Sequence, residues 1–316
     1  MNLSFNDVLA SLRHIRGGIP AVRLTSRIRL ADNHRSIFFG PSFDLFDIQE
    51  YDPDRDPPNM KLDNFGDEDD EIEYARRCIE THEIRVKLLI DLSSSIDSGM
   101  HLIKRRMLLD AIGYIGATAT RYQDPIGLAG FTDKIVLDLP PRCGSNNLCY
   151  MLRNVYDFLD KHDPENKKVL RRKTDFFVAL DYIRRSFNKP CFIPIISDFV
   201  GFEKVVDSSL LKAVASKHEL MFVFLDDPLE ITSAQGPGFI RMEDAESGKQ
   251  QIVSRRKLLE LEHELRLNRR KLRKEELERK RGIYSVVLEY SEDGRHYNRL
   301  QKFFLKRHKA LNTRRV

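Results

Sequence analysis

Tryptophan is missing from this chain, and cysteine is sparse: Cys78, Cys143, Cys149 and Cys191 are the four it has. None of them forms a C-x-x-C pair, so neither a disulfide framework nor a zinc site is expected. Cys143 and Cys149 lie close enough in sequence to meet, but buried free thiols in a reducing, cytoplasmic compartment are the expectation. No apolar run approaches the roughly 20 residues that span a bilayer, so no transmembrane segment is expected. Residues 1–18 carry Asp7, Arg13, His14 and Arg16 among their apolar positions, without the continuous hydrophobic stretch a signal peptide needs. Nucleotide and protease signatures are missing as well. There is no G-x-x-x-x-G-K-[ST], which excludes hydrolysis of nucleotide by a P-loop, and neither G-x-G-x-x-G nor H-E-x-x-H occurs. His82, beside Glu80 and Glu83, and His263, between Glu262 and Glu264, read as surface histidines. No Ser/His/Asp set can be assembled from sequence order.

What the chain does have is length, charge and alternation. Its 316 residues can bury a sizeable core, as one large domain or two modest ones. Charged residues make up 32% of it, and the net charge of +5 conceals an asymmetry. Ser42 to Tyr74 holds thirteen Asp or Glu against Arg55 and Lys61, whereas Arg255 to Arg281 holds twelve Lys or Arg against six Glu. Two such segments can attract each other, serve separate partners, or simply be solvated surfaces.

Three regions follow from the texture of the sequence. Residues 1–83 are acidic and rich in strands and turns, with strand-like pieces at Ala21 to Leu30 and Arg35 to Phe39. Asp52-Pro-Asp-Arg-Asp-Pro-Pro excludes a helix in the same region. Residues 84–230 alternate strands with helices. Strands are expected at Ile84 to Ile90, Cys191 to Ile196 and Leu220 to Leu225, and a hairpin at Ile126 to Phe131 and Lys134 to Leu139, closed through Thr132-Asp133. Helices are expected at His101 to Tyr122, Asn147 to Leu159, Thr174 to Phe187 and Glu203 to Lys217. Continuous apolar runs separated by helices suit interior parallel strands covered on both faces, so the expected architecture is α/β, a doubly wound, mostly parallel sheet. Residues 231–316 should add a hairpin (Ile240 to Ile252) and a charged helix (Arg255 to Arg281) ended by Gly282. A strand (Tyr284 to Tyr290) and a basic helix (Tyr297 to Lys309) follow, and this region should pack with the amino-terminal one. Leu258, Leu261, Leu265 and Leu272 space themselves as a partial heptad. Asn268 interrupts that seam, so a leucine stripe packed on the chain's own domain is expected in place of a coiled coil.

The segment that carries chemistry is Asp91-Leu92-Ser93-Ser94-Ser95. It follows the apolar run Val86 to Ile90 and precedes a long amphipathic stretch. Read as strand, loop and helix, it sets one carboxylate and two hydroxyls on a tight turn at a helix N-terminus, a D-x-S-x-S metal site. Mg2+ takes about six oxygen ligands and keeps several waters; Mn2+ and Ca2+ are the other cations considered. Thr174, in Lys173-Thr174-Asp175, opens a helix on a neighbouring loop, and Asp198, in Ile196-Ser197-Asp198-Phe199, ends the next strand. The expected ligand set is therefore Asp91, Ser93, Ser95, Thr174 and Asp198. Neutral hydroxyls leave the cation short of negative charge and electrophilic toward a carboxylate brought by a partner. The competing reading of Ser93 and Ser95 is helix capping. Asp226 and Asp227 fall at the same sheet edge and read as part of a strand-ending turn, with outer-shell contact to the metal as the alternative.

This set, Asp91-x-Ser93-x-Ser95 with Thr174 and Asp198, resembles the metal-ion-dependent adhesion site of von Willebrand factor A domains. More specifically, the chain resembles the bacterial family of domain-of-unknown-function fifty-eight, from about Gly40 to the end. The resemblance is carried by Gln49-Glu50-Tyr51-Asp52-Pro53, Ala75-Arg76, Lys104, Asp124-Pro-Ile-Gly127-Leu, Asp226-Asp-Pro-Leu-Glu230 and Glu243-Asp-Ala-Glu-Ser-Gly248. It departs from that pattern where the family has Arg-x-Ile-Asp-Trp and this chain has Asn59-Met-Lys61-Leu62-Asp63. The membrane helices that begin many members have no counterpart in its opening residues. The resemblance implies a von Willebrand factor A-like fold and a metal-dependent protein-interaction module with no catalytic residues. Members of that family are usually found with MoxR-type AAA+ ATPases, acting in assembly or maturation of other proteins. The alternatives from the residues are a metal-assisted phosphoester hydrolase, which usually needs more charged ligands or a second metal, and non-specific nucleic-acid binding through the basic carboxy-terminal helices. Interspersed glutamates and the lack of a recognition motif count against the last.

Overall fold

The computed structural model describes residues 4–18, 45–52, 61–62, 74–78, 85–96, 103–162, 172–226, 238–243, 250–279, 281–289 and 297–313. The expected strand-like pieces at 21–30 and 35–39, and the turns at 53–58 and 244–249, lie outside them. The chain divides into two compact units, residues 29–83 and residues 1–28 with 84–316. In the first unit, β1 (Leu45–Glu50), β2 (Lys61–Leu62) and β3 (Tyr74–Cys78) form an antiparallel sheet in the order β1-β3-β2.

The larger unit is built on six strands: β4 (Val86–Asp91), β5 (Ile126–Phe131), β6 (Ile135–Arg142), β7 (Phe192–Ser197), β8 (Glu219–Asp226) and β11 (Tyr284–Glu289). Their order across the sheet is β11-β8-β7-β4-β5-β6, with every neighbouring pair parallel except β5 and β6. The 5–6 pair is the expected hairpin, its turn closed by the Thr132 N–H donating to the Lys134 carbonyl at 2.8 Å. β6 continues past the expected Leu139 through Pro140 and Pro141, which an edge strand tolerates because one side needs no ladder donors.

Helices cover both faces, which is why the interior strands read as unbroken apolar runs. On β4, Val86, Leu88 and Ile90 enter one core and Leu89 the other; on β7, Phe192 and Ile196 face the first core, Ile193 and Ile195 the second. The first core is closed by residues of α1 (Phe5–Gly18), α2 (Ile103–Arg121), α3 (Ser145–Lys161) and α8 (Asn298–Thr313). Residues of α4 (Phe176–Ser186), α5 (Glu203–Val206) and α6 (Ser209–Lys217) close the second. Leu272 and Leu277 at the end of the long basic helix join that second core.

The structure departs from expectation in several places. Glu203 to Lys217 is two helices, because Ser208 caps the second, accepting from the Leu211 N–H at 3.1 Å. The basic helix α7 (Arg255–Lys271) runs on as a π-helical segment over Leu272–Arg279. Of its leucine stripe, Leu272 is buried and Leu258 half-buried, but Leu261 is 41% exposed. Cys143, expected to be buried, is exposed, while Cys191 is buried. The hairpin β9 (Phe239–Glu243) and β10 (Gln250–Ser254) forms as expected. β11, in the carboxy-terminal region, is an edge strand of the large sheet, paired with β8 from Tyr284 opposite Met221 to Glu289 opposite Asp226. Among the described residues no helix is long and apolar enough to cross a membrane.

Candidate functional site

In chain order the strands run outward from β4 to β5 and β6, then restart at β7 on the other side of β4 and continue to β8 and β11. The direction reverses between β4 and β7. In open α/β sheets ligands bind at such a reversal, beyond the carboxyl ends of the strands. Ile90 lies opposite Ile196, so Asp91 and Ser197 leave the sheet at neighbouring strand ends. The Ser197 hydroxyl donates to Asp91 Oδ2 at 2.6 Å.

The loop after β4 is held tightly. Asp91 Oδ1 accepts from the Ser93 N–H at 2.9 Å, and the Ser93 and Ser95 hydroxyl oxygens are 2.9 Å apart. Leu92 between them is buried against Gly130 of β5, where a β-carbon would lie 2.5 Å from Leu92 Cδ1. Gly130 therefore leaves room for the loop to lie down on the next strand. The loop turns at Ser94–Ile96, and α2 spans Ile103–Arg121.

Asp198 arrives on the loop after β7. Its Oδ1 accepts from the Val200 N–H at 3.3 Å, and its Oδ2 lies 3.3 Å from Lys104 Nζ. Between these points Phe199 has a left-handed backbone (φ 56°), a conformation bulky residues rarely adopt. It is held there by its N–H donating to Ser197 Oγ at 2.9 Å and by its ring against Phe176, Phe202, Phe222 and Phe224. Packing thus imposes the bend that turns the Val200 N–H back to Asp198. Strained backbone of this kind clusters at functional sites.

Thr174 sits two residues before α4, and Asp175 is that helix's N-cap, its carboxylate accepting from the Phe177 N–H at 2.8 Å. The Thr174 loop is pinned to the site at two points. Ser94 and Arg172 exchange hydrogen bonds (Ser94 N–H to the Arg172 carbonyl at 3.0 Å, Arg172 N–H to Ser94 Oγ at 2.9 Å), and the Asp175 N–H donates to the Thr132 carbonyl at 3.1 Å. Side-chain hydrogen bonds thus connect Asp91, Ser93 and Ser95 directly and Asp198 through Lys104, while the backbone carries Thr174 to the same edge. Asp226 ends β8, one strand further from the reversal, and Asp227 lies outside the described residues.

Two participants went unrecognised as site residues in the sequence. Ser197 orients Asp91, and Lys104 pairs with Asp198 while also donating to the Ser95 carbonyl at 3.3 Å. Their contacts cross 106 and 94 residues of chain, so no local spacing announces them.

The electrostatics are those of a site short of positive charge. Asp91 is 0% and Asp198 2% exposed, and Lys104, itself 3% exposed, is the single cation paired with either of them among the described residues. Burial pushes the Asp91 carboxyl up to about 7, and the Asp198 charge adds to this, against the lowering by the Ser197 and Ser93 hydrogen bonds. The donors gathered here are all oxygens, the set that suits a hard cation such as Mg2+. No group of three or more His, Cys, Asp or Glu that could hold a metal occurs among the described residues, so such a cation would rely on two carboxylates and hydroxyls.

Fold and site together define a mixed α/β protein with a buried, oxygen-only polar cluster at the reversal point of a six-stranded, mostly parallel sheet. The chain belongs to the DUF58 family of proteins of unknown function, whose pattern it matches over residues 70–309. Relatives include the uncharacterized proteins Mb1516 of Mycobacterium bovis and Rv1480 of Mycobacterium tuberculosis. Each is 27% identical over 176 residues, 55% of this chain and 52% of the relative. The chain thus spans about half the length of these curated relatives. Solved structures that align with it include BatB from Bacteroides thetaiotaomicron, at 15% identity and TM-score 0.37 over 71% of this chain and 99% of that one. Another is an aerotolerance-related membrane protein from Bacteroides fragilis, at 13% identity and TM-score 0.35 over 72% and 99%.

Proposed function

We propose that this protein is a metal-dependent protein-interaction module of the von Willebrand factor A type, a binding site and not a catalytic one. Asp91, Ser93, Ser95, Thr174 and Asp198 would hold Mg2+, or Mn2+ or Ca2+, and a partner's Asp or Glu would complete the coordination. The observation that carries this reading is the pair of buried carboxylates on adjoining strand ends, with a single ammonium, that of Lys104, paired to Asp198. A divalent cation relieves that imbalance, and the neutral hydroxyls leave it able to attract a further carboxylate. The partner we infer from the family resemblance is a MoxR-type AAA+ ATPase, working in assembly or maturation of other proteins.

Replacing Asp91 with Ala should abolish Mg2+ binding measured by calorimetry. It should equally abolish Mg2+-dependent, chelator-sensitive capture of a purified MoxR-type ATPase by the immobilised full chain. Capture that survives the substitution intact would sink the mechanism.

A further inference from the structure

We propose that Lys104 is a resident competitor for the cation, occupying the site's carboxylate when no metal is bound and setting how weakly the metal is held. The inference rests on the metal-binding reading above and adds a residue that reading does not contain. Lys104 Nζ lies 3.3 Å from Asp198 Oδ2 and 3.3 Å from the Ser95 carbonyl oxygen, so it bridges two of the segments that supply the proposed ligands. It is buried, and a buried ammonium is costly unless it is paired and hydrogen-bonded.

Its place in the chain is unfavourable on a second count. Lys104 stands in the first turn of α2, followed by Arg105 and Arg106 with no acidic residue in that turn. The positive end of a helix dipole disfavours cations there. Against these two unfavourable placements stand the ion pair with Asp198 and the hydrogen bond to the Ser95 carbonyl. A cation arriving at Asp91 and Asp198 must share Asp198 with that ammonium and is repelled by it. Removing the charge but not the bulk should therefore strengthen metal binding. A residue that only props up the site would do the opposite, since its loss would loosen the ligands and weaken binding.

The test titrates Mn2+ and Mg2+ by calorimetry into chelator-stripped full chain, comparing wild type with Lys104→Met and Lys104→Gln, each checked for folding by circular dichroism. Both variants should bind on the order of tenfold more tightly, since like charges a few ångströms apart in a partly buried site repel strongly. Both should also melt at a lower temperature than wild type in chelator and regain most of the difference in Mg2+. If wild type binds metal and the variants bind equally or more weakly, Lys104 is structural and the proposal falls while the metal site stands. If neither wild type nor variants bind, both readings fall. Should Lys104→Met fold only with metal present, release of Mn2+ into excess chelator replaces the titration. Slower release than wild type supports the proposal, and equal or faster release overturns it.

Discussion

Asp91 and His218 show how differently two buried titratable side chains can be served by one fold. Asp91 is given hydrogen bonds from Ser197 and Ser93, whereas neither ring nitrogen of His218 has a hydrogen-bond partner among the described residues. His218 is 3% exposed, at the end of α6 with its ring edge-on to Phe187, and burial first, then the Lys217 charge, pushes its pKa down to about 4. The sign follows directly. Between pH 6.5 and about 4 the unfolded chain takes up a proton that the folded chain refuses, so stability falls as the pH drops through that window. The slope from this one group is at most about 1.4 kcal/mol per pH unit. His218→Phe should flatten the stability profile between those values in urea melts taken at stepped pH, and an unchanged slope would contradict the assignment. At this same scale the D-x-S-x-S loop could be read from the chain because its residues are neighbours. Lys104 and Ser197 could not be assigned, because what they touch lies on other strands and loops.

Elements were legible where they are long and periodic. The apolar runs of β4, β7 and β8 and the amphipathic faces of α3 and α4 follow from a period of two or about 3.6. The π-helical end of α7 did not follow. Leu272 and Leu277 are five apart and fall on different faces of an α-helix, but wider turns with i to i+5 hydrogen bonds bring them nearly onto one side. Both then reach the second core, and the Ile283 N–H closes the end on the Leu277 carbonyl at 3.0 Å. Caps decided another boundary. Asp175 proved to be the N-cap of α4 and not part of its first turn, so its side chain fixes where the Thr174 loop stops. Asp175→Ala should cost about 1 kcal/mol of stability, the usual loss for a removed N-cap. If Thr174 is a ligand it should also weaken Mn2+ binding, through the freed loop. Denaturant melts and a Mn2+ titration on the same variant check both, and no change in stability would show that the cap is dispensable.

At the scale of the whole molecule, the carboxy-terminal segment is structural to the sheet. β11 completes the edge beside β8, while Leu288, Leu300 and Phe304 are buried in the first core, with the Phe304 ring stacked on Tyr114. Burying three such side chains is worth about 1.5–3 kcal/mol each. That total is comparable with the roughly 5–15 kcal/mol by which whole domains are stable. A fragment of residues 84–230 should therefore lack a cooperative thermal transition or aggregate, where the full chain melts cooperatively; a fragment that melts as sharply as the full chain would contradict this. The sequence alone was enough for the alternation of strands and helices, the parallel sheet covered on both faces, and the placing of Asp91 and Asp198 at strand ends, because these depend on periodicity and local turn chemistry. Tertiary structure alone decided that β11 joins that sheet and that the strand order reverses beside Asp91. It also decided that Lys104 stands between Asp198 and Ser95. Each of these depends on which distant segments share one core, and burial against a partner leaves no mark in local spacing.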